Sequence, residues 1–219
     1  MKPKTATIIG VTGLVGSHLY DLLTQDKSFE TIRLIVRRPM PRDHLNTEIK
    51  LVDFDDAESL MLAIDGSDVV FCSVGTTNKK VQGDKDAYRK VDYDIPVRAA
   101  RFSKMTGCST YILVSAIGAK KTSSNFYLKL KGETEDAVKE AGPDSIHIMR
   151  PSMLLGERKE SRPGEKVGKA FMLATSFLWP LRYKPIHARD VAKAMLAAAK
   201  QEKKGIFVYE YPDMKKLLG

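Results

Sequence analysis

The chain has 219 residues, 43% hydrophobic and 29% charged, which fits one folded unit with a sizeable core and excludes a low-complexity polymer. Its 36 lysines and arginines against 27 acidic residues give a net charge of +9. They are spread along the chain without interleaved aromatics, so a solvated surface or a phosphate-rich small ligand is expected and a nucleic-acid face is not.

In chain order, Thr5–Ile9 reads as a strand and Leu14–Asp26 as a helix with Leu19, Leu22 and Leu23 on one face. Thr31–Val36 is a continuous β-branched run, as a strand buried on both faces requires. Arg37–Asn46 is a polar loop, Thr47–Val52 a third strand, Asp56–Ile64 a helix and Val69–Ser73 a fourth strand. A polar loop to Gly83 leads into a long helical stretch ending at Met105, which Pro96 should kink or restart. Thr110–Ser115 is strand five, Ser124–Ala141 a helix and Ser145–Met149 strand six. Lys166–Trp179 is helix-like, Asp190–Lys200 is an alanine-rich helix and Ile206–Tyr209 a last strand. The alternation predicts an α/β fold, a doubly wound, mainly parallel sheet of Rossmann type, as a single domain spanning residues 1–219.

No apolar run is long enough to span a bilayer. Met1-Lys2-Pro3-Lys4 carries no apolar leader, and Cys72 and Cys108 have no metal-ligand spacing. These features point to a cytoplasmic protein with reduced thiols and no metal.

The most specific segment is Gly10-Val11-Thr12-Gly13-Leu14-Val15-Gly16, between the first strand and the first helix. A Gly-x-x-Gly-x-x-Gly turn there brings backbone N–H groups and a helix N-terminus toward a pyrophosphate. The expected cradle comprises Gly10, Thr12, Gly13, Leu14, Val15 and Gly16. The nucleotide type is read at the end of strand two, where Arg37 and Arg38 stand and no carboxylate does. Two guanidiniums suit a 2′-phosphate, so NADP(H) is expected over NAD(H). Asp53 suits either the adenine amino group or a local cap. Ser73, Gly75 and Thr76 follow strand four, at the edge where such cofactors lie.

Carbonyl reduction needs a proton donor, and a tyrosine whose pKa is lowered by a nearby lysine can serve. Tyr127 and Lys131 stand at i and i+4 on the helix after strand five, and Ser115 ends that strand. In that order, Ser115 would orient a carbonyl, Tyr127 would donate the proton and Lys131 would lower its pKa. The spacing alone is unspecific. Tyr211 and Lys215 repeat it, with Pro212 disfavouring a mid-helix position.

Together these residues resemble the short-chain dehydrogenase/reductase superfamily. More narrowly, the glycine loop, Phe71–Thr77, Lys120–Glu133, Arg150-Pro151 and Glu160–Glu165 resemble its atypical branch, the Tat-interacting oxidoreductase-like proteins and their bacterial relatives. The resemblance implies an NADPH-binding Rossmann domain with the Ser115, Tyr127, Lys131 triad. It also implies that Arg150 and Pro151 lie near the nicotinamide and that residues 150–185 form a small substrate-side cap. Within that cap, the apolar stretch Phe171–Leu181 reads as pocket or core. The chain would re-enter the core at Pro185-Ile186-His187, with His187 structural and Asp190 a helix cap. Three functions compete: an NADPH-dependent reductase of a small carbonyl compound, a non-catalytic NADP(H)-binding regulator, and an epimerase or dehydratase of nucleotide sugars.

Overall fold

The computed structural model describes residues 4–41, 43–156 and 180–219. Its strands are β1 (Thr5–Ile9), β2 (Thr31–Val36), β3 (Thr47–Leu51), β4 (Val69–Cys72), β5 (Thr110–Val114), β6 (Ser145–Met149), β7 (Leu154–Leu155), β8 (Ile186–His187) and β9 (Gly205–Tyr209). Its helices are α1 (Leu14–Thr24), α2 (Ala57–Ile64), α3 (Lys85–Arg89), α4 (Ile95–Met105), α5 (Phe126–Ala141), α6 (Ala188–Ala199) and α7 (Tyr211–Lys216). Seven strands form one sheet in the order β3-β2-β1-β4-β5-β6-β9. Every neighbouring pair is parallel. The order reverses at β1, so a crevice opens between the carboxyl ends of β1 and β4, where open α/β sheets bind their ligands.

The strands divide their side chains between two cores, as a period of two requires. On one face Ile8, Leu34, Phe71 and Ile112 meet Leu19 and Leu23 of α1 and Val191 and Met195 of α6. On the other Ile9, Ile35, Val70 and Ile148 meet Leu60 and Ile64 of α2, Ala99 of α4 and Val138 of α5. Both faces are covered, so the buried strands read as unbroken apolar runs.

The helical stretch that Pro96 interrupts divides as its sequence predicts. Between α3 and α4, Lys90–Asp94 forms a wide π-type turn, and the Ile95 N–H reaches back to the Lys90 carbonyl. Pro96 has no N–H to offer the Asp92 carbonyl four residues earlier, and the Thr134 hydroxyl of α5 donates to that carbonyl at 3.0 Å. Beyond β6 the chain forms β7, and Ile186 pairs with Leu154 to bring it back into the core ahead of α6. The expected cap at residues 150–185 and the helix at Lys166–Trp179 fall largely or wholly outside the described residues.

Two details differ from the sequence reading. Asp190 sits in the first turn of α6 and not at its cap, which is His187. There it favours the positive helix end and pairs with Lys215 at 2.7 Å. Tyr211 and Lys215 do share a helix, because Pro212 stands in the first turn, where a missing N–H costs nothing. That lysine is committed to Asp190, away from the glycine loop.

His147 of β6 is fully buried, with Nδ1 3.0 Å from the Tyr209 hydroxyl and Nε2 3.1 Å from the Ser145 hydroxyl. Its ring stacks on Phe207 and Tyr209. Burial, aided by the Lys203 charge, lowers its pKa from 6.5 to about 4. The unfolded chain therefore takes up a proton that the folded chain refuses. The stability His147 contributes is complete above pH 6.5 and is lost as the pH falls toward about 4. The full effect is about 3 kcal/mol. Urea unfolding of His147→Gln should show a shallower loss of stability over that interval than wild type. Parallel curves would assign the acid sensitivity elsewhere.

Candidate active site

The glycine loop closes the gap between β1, β4 and α1. Gly10 has a φ of +95°, and a Cβ there would lie 2.7 Å from the Val74 backbone nitrogen. Gly16 is tighter still, since its Cβ would fall 2.1 Å from the Gly10 carbonyl oxygen. Gly10 and Gly16 are thus required by contacts of the protein with itself, which fix the start of α1 at the crevice. Gly13 is the cap residue, no side chain caps it, and no acid stands in the first turn. The N-terminal N–H groups and the positive helix end are left for an anion. Leu14 and Val15 form the first turn beyond Thr12, and Leu14 packs against Gly156 from the far side of the crevice. This donor set fits the pyrophosphate of a dinucleotide.

Ser73 binds this turn together. Its N–H donates to Ile9, and its hydroxyl lies 3.4 Å from the Ile9 carbonyl oxygen and 3.3 Å from that of Gly10. Arg37 and Arg38 follow β2 and are exposed. Asp53 is also exposed, and its carboxylate accepts the Asp55 N–H at 2.9 Å. The residue that caps α2 is Asp56, which leaves Asp53 as a turn carboxylate at the carboxyl edge of the sheet.

Tyr127 and Lys131 lie one turn apart on α5. Tyr127 is half-exposed, with its ring 6.5 Å from that of Tyr88. Lys131 is buried, and its ammonium lies 2.9 Å from Oδ1 of Asp92. Burial opposes the charge on Lys131. Asp92 and the nearby Tyr127 phenol outweigh it, and the net effect raises the lysine's pKa. The other Asp92 oxygen accepts the Thr76 N–H at 2.7 Å, and Gly75 lies against the same carboxylate. Gly75 and Thr76 are thereby coupled to Lys131.

Ser115 has its hydroxyl engaged elsewhere on α5. Its hydroxyl is buried and donates to Oε1 of Glu135 at 2.6 Å. Glu135 lies two helical turns beyond Tyr127, a rise of about 12 Å. The Ser115 proton is committed there, and the bond secures β5 to α5. Arg150 meets the same carboxylate. Its guanidinium forks onto Glu135, Nε to Oε1 at 2.9 Å and Nη2 to Oε2 at 2.5 Å. The Pro151 carbonyl accepts the Ile117 N–H and holds the β5 and β6 turns together.

Sequence reasoning missed Asp92, Glu135 and Tyr88. A signal existed for Glu135, because Tyr127, Lys131 and Glu135 repeat at four residues and so share one face of α5. Pro96 marked the helix where Asp92 sits, but the lysine it meets is on another element. Tyr88 carried no signal. Its hydroxyl donates to the Thr76 carbonyl, and its ring packs edge-on against Phe126 at 5.7 Å.

Among the described residues no helix is long and apolar enough to cross a membrane. A family model described as NAD(P)H-binding matches residues 10–202. The chain is 34% identical over 199 residues to Protein HTATIP2 of Rattus norvegicus, covering 90% of this chain and 81% of that protein. It is 33% identical over 200 residues to Protein FMP52, mitochondrial, of Candida albicans, covering 89% and 87%. A UDP-N-acetylglucosamine 4-epimerase from Methanobrevibacter ruminantium superposes with a TM-score of 0.73 at 19% identity, over 96% of this chain and 77% of that one. The Bordetella bronchiseptica enzyme WbmH, solved with NAD+, gives 0.71 at 18% identity over 97% and 78%. At those identities the likeness is one of fold. The family match spans the glycine loop, α5 and α6, and the chain belongs to the NAD(P)H-binding family of Rossmann-fold proteins.

Proposed function

We propose that the chain is an NADPH-dependent reductase of a small carbonyl compound. The observation that carries this reading is Lys131, buried and charged, one helical turn from Tyr127 at the carboxyl edge of the sheet. When bound, NADPH supplies the two electrons and the hydrogen that the carbonyl carbon receives. The Tyr127 hydroxyl gives its proton to the carbonyl oxygen, and the resulting phenolate recovers a proton from water. Lys131 stabilises the phenolate while it exists. Ser115 and Glu135 keep α5 seated on β5. The preference for NADPH is supported by Arg37 and Arg38, exposed just beyond β2, the strand end where such folds read the ribose of the cofactor. The two cysteines are buried and unbridged, which supports a reducing compartment such as the cytoplasm.

One observation favours a second reading, a cofactor-binding regulator without turnover. The Ser115 hydroxyl and the Lys131 ammonium are both tied to carboxylates, so two of the three expected catalytic groups have other partners. Nucleotide-sugar epimerisation is supported by fold likeness alone.

Tyr127→Phe separates the first two readings. We expect turnover on an accepted carbonyl to fall by about 100-fold or more with NADPH affinity unchanged. An unchanged rate would remove Tyr127 from the chemistry. Absence of NADPH consumption by wild type across a broad carbonyl panel, with tight NADPH binding, would favour the regulator.

A second prediction concerns the nucleotide. Arg37→Ala with Arg38→Ala should weaken NADPH binding about tenfold to 100-fold, since charge-assisted bonds to a phosphate are lost. NADH binding should stay the same. Fluorescence titration of both cofactors decides it, and equal affinity of wild type for the two would overturn the preference.

A further inference from the structure

The proposed chemistry gives no role to Asp92, yet Asp92 is a buried carboxylate beside the site, with a side chain 2% exposed. Every polar feature of it is engaged. One oxygen meets Lys131 at 2.9 Å, the other accepts the Thr76 N–H at 2.7 Å, and its carbonyl accepts the Thr134 hydroxyl. The carboxylate is thus held between an ammonium and a backbone N–H.

We propose that Asp92 is a positioning residue that offsets part of the Lys131 charge felt by Tyr127, so that Tyr127 stays protonated until it acts as an acid toward a carbonyl, with enough of the charge left to stabilise the phenolate. This rests on the reductase reading above and adds a direction to it. An unpaired buried ammonium would pull the neighbouring phenol toward phenolate, the form that takes a proton from an alcohol. Paired with a carboxylate at contact, the ammonium presents a dipole, whose field falls off faster with distance than that of a lone charge. Lys85 lies over the Phe126 ring next to Tyr127, and Arg89 of α3 pairs with Glu133 of α5. Tyr127 lies on the same helix as Lys131, Cys72 comes from β4, and Tyr88 of α3 lies beside the Tyr127 ring. Among the described residues, Asp92 is the carboxylate in contact with the Lys131 ammonium. Its hold on Thr76 also connects this charge balance to the loop against which a cofactor would seat.

The test is the titration of Tyr127 itself, followed by NMR in the full chain with isotope-labelled tyrosine. The signal is assigned by its loss in Tyr127→Phe. Asp92→Asn keeps the shape and an acceptor for Thr76 and removes the charge. We expect it to lower the Tyr127 midpoint by about one pH unit, a tenfold rise in acid dissociation. An unchanged midpoint in a variant with wild-type circular dichroism would overturn the proposal.

Asp92→Asn also leaves Lys131 buried without its counter-charge and can fail to fold. The double variant Asp92→Asn/Lys131→Gln then carries the test against Lys131→Gln alone. The double variant should titrate within about half a unit of wild type, while the single variant rises by about one unit or more. Equal shifts in the two would overturn the proposal. NADPH consumption on carbonyls is read separately. A phenol that moves without turnover defeats the reductase and leaves Asp92 its role, and turnover with an unmoved phenol does the reverse.

Discussion

The backbone of the first helix enters the sheet at a distance that no side chain tolerates. A Cβ on Gly16 would meet the Gly10 carbonyl at 2.1 Å and the Ser73 hydroxyl at 2.8 Å. Gly10 in turn is pressed against the Ser73–Val74 backbone. Three segments distant in sequence thus converge at the point where strand order reverses. That convergence aims the uncapped end of α1 into the crevice, and everything proposed about a nucleotide follows from it. It also separates two roles usually merged in glycine-rich loops. Here two of the three glycines are demanded by the fold before any ligand arrives.

On the other side of the crevice, α5 carries the polar chemistry. Its inward face would be expected to be apolar, yet it presents Lys131, Thr134 and Glu135. Burying such groups costs several kcal/mol each unless partners meet them. Partners do meet them: Asp92 for Lys131, and Arg150 with Ser115 for Glu135. The wide turn that presents Asp92 sits where Pro96 breaks the helical bonding pattern. A local backbone irregularity and a buried charge therefore occur together, as is common near functional sites.

The strands and helices were legible because periodicity and glycine or proline punctuation are local properties. The buried run Thr31–Val36 and the restart at Pro96 were read with nothing beyond neighbouring residues. The glycine loop was legible for the same reason. What escaped the sequence were pairings across elements. Ser115 and Arg150 each stood where a site residue was expected, and both turn to Glu135. Nothing in their own neighbourhoods announces that carboxylate. Asp92 was invisible for the complementary reason, since its partner lies 39 positions later on another helix. Local chemistry suggested which residues were capable, and only the fold determined which were already engaged.

The two ion pairs of α5 have a mechanical meaning as well. Lys131 and Glu135 are opposite in sign and one turn apart, and their partners Asp92 and Arg150 are opposite in sign in the matching order. If α5 slid by one turn along its axis in one direction, Lys131 would face Arg150. In the other direction, Glu135 would face Asp92. Either slip buries like charges against each other, so α5 is keyed to a single register on the sheet. A helix fastened by leucines alone would have no such key. The height of Tyr127 above the sheet edge is thus set by charges further along its own helix as well as by the loop from Ala116 to Asn125, whose Asn125 side chain caps α5 and whose Lys120 N–H donates to the Leu128 carbonyl.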